Sequence, residues 1–173
     1  MQTPIRKIYY AWIPVLIVLL DRITKYWATH WLKEQQDGKV SVIGDKVTFT
    51  YLENRGAAWG MFQGKINFFV ILTALLVVLF LLLVARTPSV KHYRPLLITF
   101  LALIGGAFGN LYDRIFQGYV TDFISFDIIK FPVFNVADIF LTCSFAVLMI
   151  LLLFRYSEKD LSFIPFFGPG KEK

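Results

Sequence analysis

Two aspartates lie in strongly apolar surroundings. Asp122 stands in "GYVTDFISF", flanked by Val120, Phe123 and Ile124, and Asp138 opens the run "VADIFLTCSFAVLMILLLF". A carboxylate at the edge of hydrocarbon is costly unless it is paired, protonated or facing a wet cavity. Asn135 has the type and spacing of a helix N-cap, which puts Asp138 in the first turn of a helix, where the dipole favours the charged form. Desolvation at Asp122 favours the neutral form instead. If the fold joins the two, they can share one proton, one carboxylate serving as general base toward water and the other as general acid toward a leaving amine. Such a pair supports aspartic-type hydrolysis.

Further polar residues cluster at the ends of apolar segments. In "DRITK", Asp21 and Lys25 are four apart, the favourable order for an ion pair on one helix face, either as a snorkelling helix-end pair or as part of a site. "GGAFGNLYDR" carries Asn110, Asp113 and Arg114 within five residues, a spacing that favours mutual support, and Gly105 and Gly109 form a small-residue face for close helix packing. Asp127, near Lys130, reads as an ordinary loop acid. The two histidines, His30 and His92, fall on opposite sides of the membrane in the topology below, so neither a Ser/His arrangement nor a histidine metal site is expected. Cys143 is the one cysteine; it reads as a small packing residue. "NRGAAWGMFQG" lacks the Lys-Ser/Thr ending of a phosphate loop, and its Gly56 and Gly60 suit close backbone approach and an opening outer loop.

The elements that must position these groups follow from composition. The chain is 57% hydrophobic with 18 Phe and only 17% charged residues, too apolar for a solvated surface, so a membrane protein is expected. The net charge of +6 is dispersed among apolar spans rather than gathered in a stripe, which argues against nucleic-acid binding. The pattern predicts an all-α membrane fold of four transmembrane helices, at about 8–31, 66–85, 95–111 and 136–154, in one domain over 1–173. The first span shows no small-residue cleavage site and reads as retained. Arg6, Lys7, Arg86, Lys91 and Arg94 place both termini and the short "RTPSVKHYR" connector in the cytoplasm. The connections 32–65 and 112–135 then face outward. In the first, alternation about Gly44-Asp45 predicts a small extracytoplasmic β-hairpin or sheet on the membrane surface. The C-terminal "SEKDLSFIPFFGPGKEK", with Phe163, Phe166 and Phe167, reads as a loose interfacial tail.

Taken together, "DRITK" at 21–25, "NRGAAWGMF" at 54–62, "GGAFGNLYDR" at 105–114, "GYVTDFI" at 118–124 and "FNVAD" at 134–138 resemble the lipoprotein signal peptidases, or signal peptidase II. The resemblance covers all four spans and both outer connections in order. It implies a four-helix aspartic peptidase of the bacterial inner membrane that removes signal peptides from diacylglyceryl-modified prolipoproteins, cutting before the lipidated cysteine. It makes Asp122 and Asp138 the catalytic dyad. Asn54, Gly56, Asn110, Arg114, Asn135 and Ala137 fall on motif positions around the site, with Asp21 and Lys25 in support; Asn54 and Arg114 are assigned to substrate main chain or to ordering the dyad. Trp59 stands where a Phe is expected after "GAA". No metal or organic cofactor is implied, and a cyclic lipopeptide inhibitor of the globomycin type is. A monomer is the default expectation.

Two other classes use the same residues. A small proton-coupled transporter predicts mid-span polar residues and an internal repeat, neither of which the sequence carries. A noncatalytic lipoprotein-binding factor would use the cavity without hydrolysis, and retained cleavage after loss of either acid would favour it.

Overall fold

The computed structural model describes residues 4–44, 46–56, 62–129 and 131–164. Four helices, α1 (Trp12–His30), α2 (Ile66–Arg86), α3 (Arg94–Phe116) and α4 (Val136–Phe154), accompany three strands, β1 (Lys39–Ile43), β2 (Val47–Asn54) and β3 (Val120–Phe126), among the described residues. Among the described residues, three helical segments are long and apolar enough to cross a membrane: Ile66–Arg86, Lys91–Phe116 and Val136–Phe154. The first expected span is also helical, but Asp21, Arg22 and Lys25 interrupt its apolar content. Helix α3 runs five residues beyond the expected end at 111, so its polar end remains helical. Pro95 suits its first turn, where no backbone N–H is needed.

Helix α3 is the centre of the bundle and packs against α1, α2 and α4. The apolar faces of α2 and α4 point outward, as expected where the solvent is lipid. Small residues on α3 set the approach on two sides. A Cβ at Gly105 would lie 2.9 Å from the Ile17 Cβ on α1, and one at Gly106 would lie 2.8 Å from the Ala137 carbonyl oxygen on α4. The small-residue face expected at Gly105 and Gly109 is therefore extended by Gly106 toward the helix that carries Asp138.

The expected hairpin is present as β1 and β2, and β3 adds a third antiparallel strand to give the order β1-β2-β3. The β2–β3 register pairs Phe49 with Ile124 and Leu52 with Asp122, so β2 spends one extra residue beside Asp122. Such a bulge bends the strand and re-aims nearby side chains. On its other side, β3 is tied to the segment before α4: the Ile124 N–H donates to the Phe134 carbonyl (2.8 Å), and the Phe134 N–H donates back (3.0 Å). Asp122 and Asn135 are thereby fixed to one another through backbone. Trp27, Phe49 and Phe123 seat the sheet on the end of α1.

The opposite end gathers the N-terminal segment, the α2–α3 connector and the residues after α4. The Lys7 ammonium donates to the Val84 and Ala85 carbonyls, and the Tyr156 hydroxyl donates to the His92 carbonyl. The stretch expected as a loose tail is instead folded back through residue 164. Tyr156 and Leu161 are buried with Leu96 and Phe100, so the segment covers apolar surface of α3 and α4. Phe166 and Phe167 lie outside the described residues, as do Trp59, Gly60 and Lys130.

Candidate active site

Asn135 caps α4. Its side chain accepts from the Asp138 N–H (3.0 Å), and the Asp138 carboxylate accepts from the Asn135 N–H (3.2 Å), a reciprocal capping box. A third donor of that helix end, the Ala137 N–H, goes to Asp21 Oδ1 of α1 (3.1 Å). Gly109 makes room for this carboxylate, since a Cβ there would sit 2.6 Å from Asp21 Oδ2. The turn that holds Asp138 is thus satisfied from three directions.

Asp122 reaches the same place from β3. Asn54 of β2 donates to Asp122 Oδ2 (2.9 Å), and Asn135 donates to Asp122 Oδ1 (2.6 Å). The Asn135 amide also donates to Asn110 Oδ1 (3.1 Å), while Asn110 donates to Asp138 Oδ1 (2.7 Å). Two asparagines therefore bridge the two acids in an unbroken hydrogen-bonded chain. Asp122 is buried, and burial, reinforced by the neighbouring Asp138 charge, pushes its carboxyl up to about 7.

Behind the bridge lies a charged cluster. The Lys25 ammonium donates to Asn110 Oδ1 (2.9 Å) and pairs with Asp21 (2.9 Å) and Asp113 (2.8 Å). Arg22 pairs with Asp113 (2.6 Å) and Asp21 (3.0 Å). The expected Asp21–Lys25 pair is therefore buried structure and does not snorkel. Arg22 is the member that sequence reasoning missed; its adjacency to Asp21 was the available signal. The mutual support expected among Asn110, Asp113 and Arg114 is met only in part: Arg114 donates to the Asn110 carbonyl at 3.4 Å and lies over the Phe69 ring beside a cavity, while the Asn110 side chain turns to the acids and Asp113 to the charged cluster. Positions 110, 113 and 114 share one broad helix face, and the neighbours packed along it, the acids, the charged cluster and the cavity, divide the three side chains between them.

That cavity has a volume of about 530 Å³ and is lined by Asp122, Asp138, Asn54, Asn110 and Arg114. Its apolar wall continues along α4 through Ile139, Thr142 and Cys143. Cys143 is exposed there, which corrects its expected role as a packing residue. Gly56 is buried and donates its N–H to Asn54 Oδ1 (3.0 Å), orienting that amide toward Asp122. Asp127 pairs with Lys39 and accepts from Thr48 and Ser125, contacts that hold its carboxyl down to about 2.

Comparison with known proteins gives this geometry a family. A family model described as signal peptidase (SPase) II matches residues 13–154. The chain belongs to the signal peptidase II family. Relatives of this family member include a lipoprotein signal peptidase of Clostridium acetobutylicum, 41% identical over 150 residues that cover 83% of this chain and 92% of the relative. Another, from Clostridium tetani, is 42% identical over 151 residues, covering 84% and 93%. A solved bacterial membrane enzyme superposes with a TM-score of 0.75 at 30% identity, covering 88% of this chain and 92% of that one. This family member is accordingly an aspartic-type peptidase.

Proposed function

We propose that the chain removes signal peptides from diacylglyceryl-modified prolipoproteins by hydrolysis between Asp122 and Asp138. The observation that carries this reading is the pair itself: two acids from different elements, bridged by Asn110 and Asn135, lining one cavity. In the proposed reaction a water oxygen attacks the scissile carbonyl carbon while one carboxylate takes its proton. The protonated partner then gives its proton to the amide nitrogen as the carbon–nitrogen bond breaks, and the pair again holds one proton. Asn54 and Asn135 order Asp122, Asn110 orders Asp138, and Arg114 faces substrate main chain. Asp21 and Lys25 hold Ala137 and Asn110 from behind.

In this reading α1 completes a four-span bundle within one domain, 1–173, in the bacterial inner membrane. Its buried charges are tolerated because they face α3 and α4 rather than lipid. The basic N-terminal segment and α2–α3 connector lie in the cytoplasm, and the sheet end lies outside. The apolar strip of Ile139, Thr142 and Cys143 below the acids suits a signal segment held in hydrocarbon, with the lipidated cysteine at the surface. A cyclic lipopeptide of the globomycin type fits the same cavity as inhibitor, and a monomer suffices.

Purified protein in detergent, given a precursor with and without its diacylglyceryl group, tests the assignment. Release of the signal peptide from the modified precursor alone, with a new lipidated N-terminal cysteine, is expected. Equal release from the unmodified precursor, or none from either, contradicts it.

A further inference from the structure

On the other flank of the outer end of α3 lies a second cavity of about 530 Å³ that the hydrolytic chemistry does not use. Arg22 supplies the exposed cation of its wall, Lys25 lies paired beside it, and Tyr26, Thr29, Tyr112 and Tyr119 line the rest. No carboxylate lines it among the described residues: the Asp21 and Asp113 that pair with the two cations are wholly buried behind them. A ligand entering the cavity therefore meets the cations first. Arg22 keeps part of its side chain exposed there and lies 4.8 Å from the centre of the Tyr112 ring.

The mouth is apolar. Ile23 is 64% exposed and Phe116, packed on Tyr112, is 69% exposed, and the exposed strip continues one and two turns along α1 through Leu19 and Val15 and two turns along α3 to Phe108. A polar, cationic floor above a lipid-facing groove is the arrangement that receives a head group with its acyl chains running down the helices. Tyr26, Tyr112 and Tyr119 are also the side-chain type that settles at the membrane–water interface.

We propose that this cavity binds one anionic phospholipid, its phosphodiester against Arg22 and the hydroxyls of a glycerol-type head group against the tyrosines. A zwitterionic head group brings a bulky ammonium to the exposed guanidinium of Arg22, where a glycerol-type head group brings only hydroxyls, so phosphatidylglycerol is selected over phosphatidylcholine. The placement rests on the membrane-spanning reading of α1 given above, but lipid binding is measured without substrate, so failure here is separable from failure of the peptidase assignment. The occupant lies directly behind the cluster that holds Asn110 and Ala137, where it stabilises the support of the acids.

Native mass spectrometry of the purified protein, titrated separately with phosphatidylglycerol, phosphatidylcholine and inorganic phosphate, tests the site. One phosphatidylglycerol retained about tenfold more tightly than phosphatidylcholine is expected. Thr29→Trp, which fills the cavity, and Ile23→Glu, which sets a carboxylate at its mouth, should each abolish that preference, while Leu75→Trp on the lipid face of α2 should keep it. Equal retention of the two lipids, an undiminished preference in folded Thr29→Trp and Ile23→Glu, or complete displacement of the lipid by equimolar phosphate overturns the proposal.

Discussion

Asn135 has the most crowded role in the molecule. One side chain caps α4, holds Asp122 and touches Asn110, so its loss disturbs both acids together. Asn135→Ala is expected to destabilise the fold by about 1–3 kcal/mol through a lost cap and unsatisfied buried partners, and to abolish most activity. Thermal unfolding in detergent and precursor cleavage check the two effects separately. The pH dependence is set by Asp122, whose carboxyl is raised from 3.8 to about 7. Because the folded value lies above the unfolded one, its contribution to stability is present below 3.8 and is lost as pH rises through about 7. The rate follows the same proton: kcat/KM is predicted to fall about tenfold per pH unit above 7. A profile flat to pH 9 would contradict a shared proton. At this scale much of the site was legible, since an acid in an apolar run is costly and Asn135 stands at cap spacing before Asp138. The bridging by Asn110 and Asn135 was not legible, because spacing along a chain does not say which amide meets which carboxylate across it.

Helix α3 transmits these contacts through its glycines. Gly109→Ala would push a methyl group to 2.6 Å from Asp21 Oδ2, displacing the carboxylate that accepts from Ala137. The expected cost is about 1–3 kcal/mol of stability together with lost activity, read by unfolding temperature and cleavage rate. Unchanged values for both would show that α1 does not hold the start of α4. Hydropathy located α2 and α4 almost to the residue, because nearly every side chain in them meets lipid or apolar neighbours. β3 escaped notice for a physical reason. Its first four residues are all buried, so the alternation that reveals a half-exposed strand is missing.

The whole molecule sorts its residues by end and by depth. One end binds the N-terminal segment, the α2–α3 connector and residues 156–164 into a clasp, and the other carries the sheet and both cavities. The membrane character and the three apolar spans were readable from composition and hydropathy, whereas the fold-back of residues 156–164 depended on an apolar surface formed only after α3 and α4 pack. The central claim is that Asp122 and Asp138 act as one unit, and single-turnover cleavage of a diacylglyceryl-modified precursor by wild type, Asp122→Asn and Asp138→Asn tests it most directly. Cys143, exposed on the cavity wall and the one cysteine of the chain, reports binding through protection from a maleimide. All three proteins are expected to protect Cys143 when substrate is added, and each variant to lose roughly 10³-fold or more in rate. Either variant cutting at near the wild-type rate would show that its aspartate is structural and that hydrolysis proceeds without the pair.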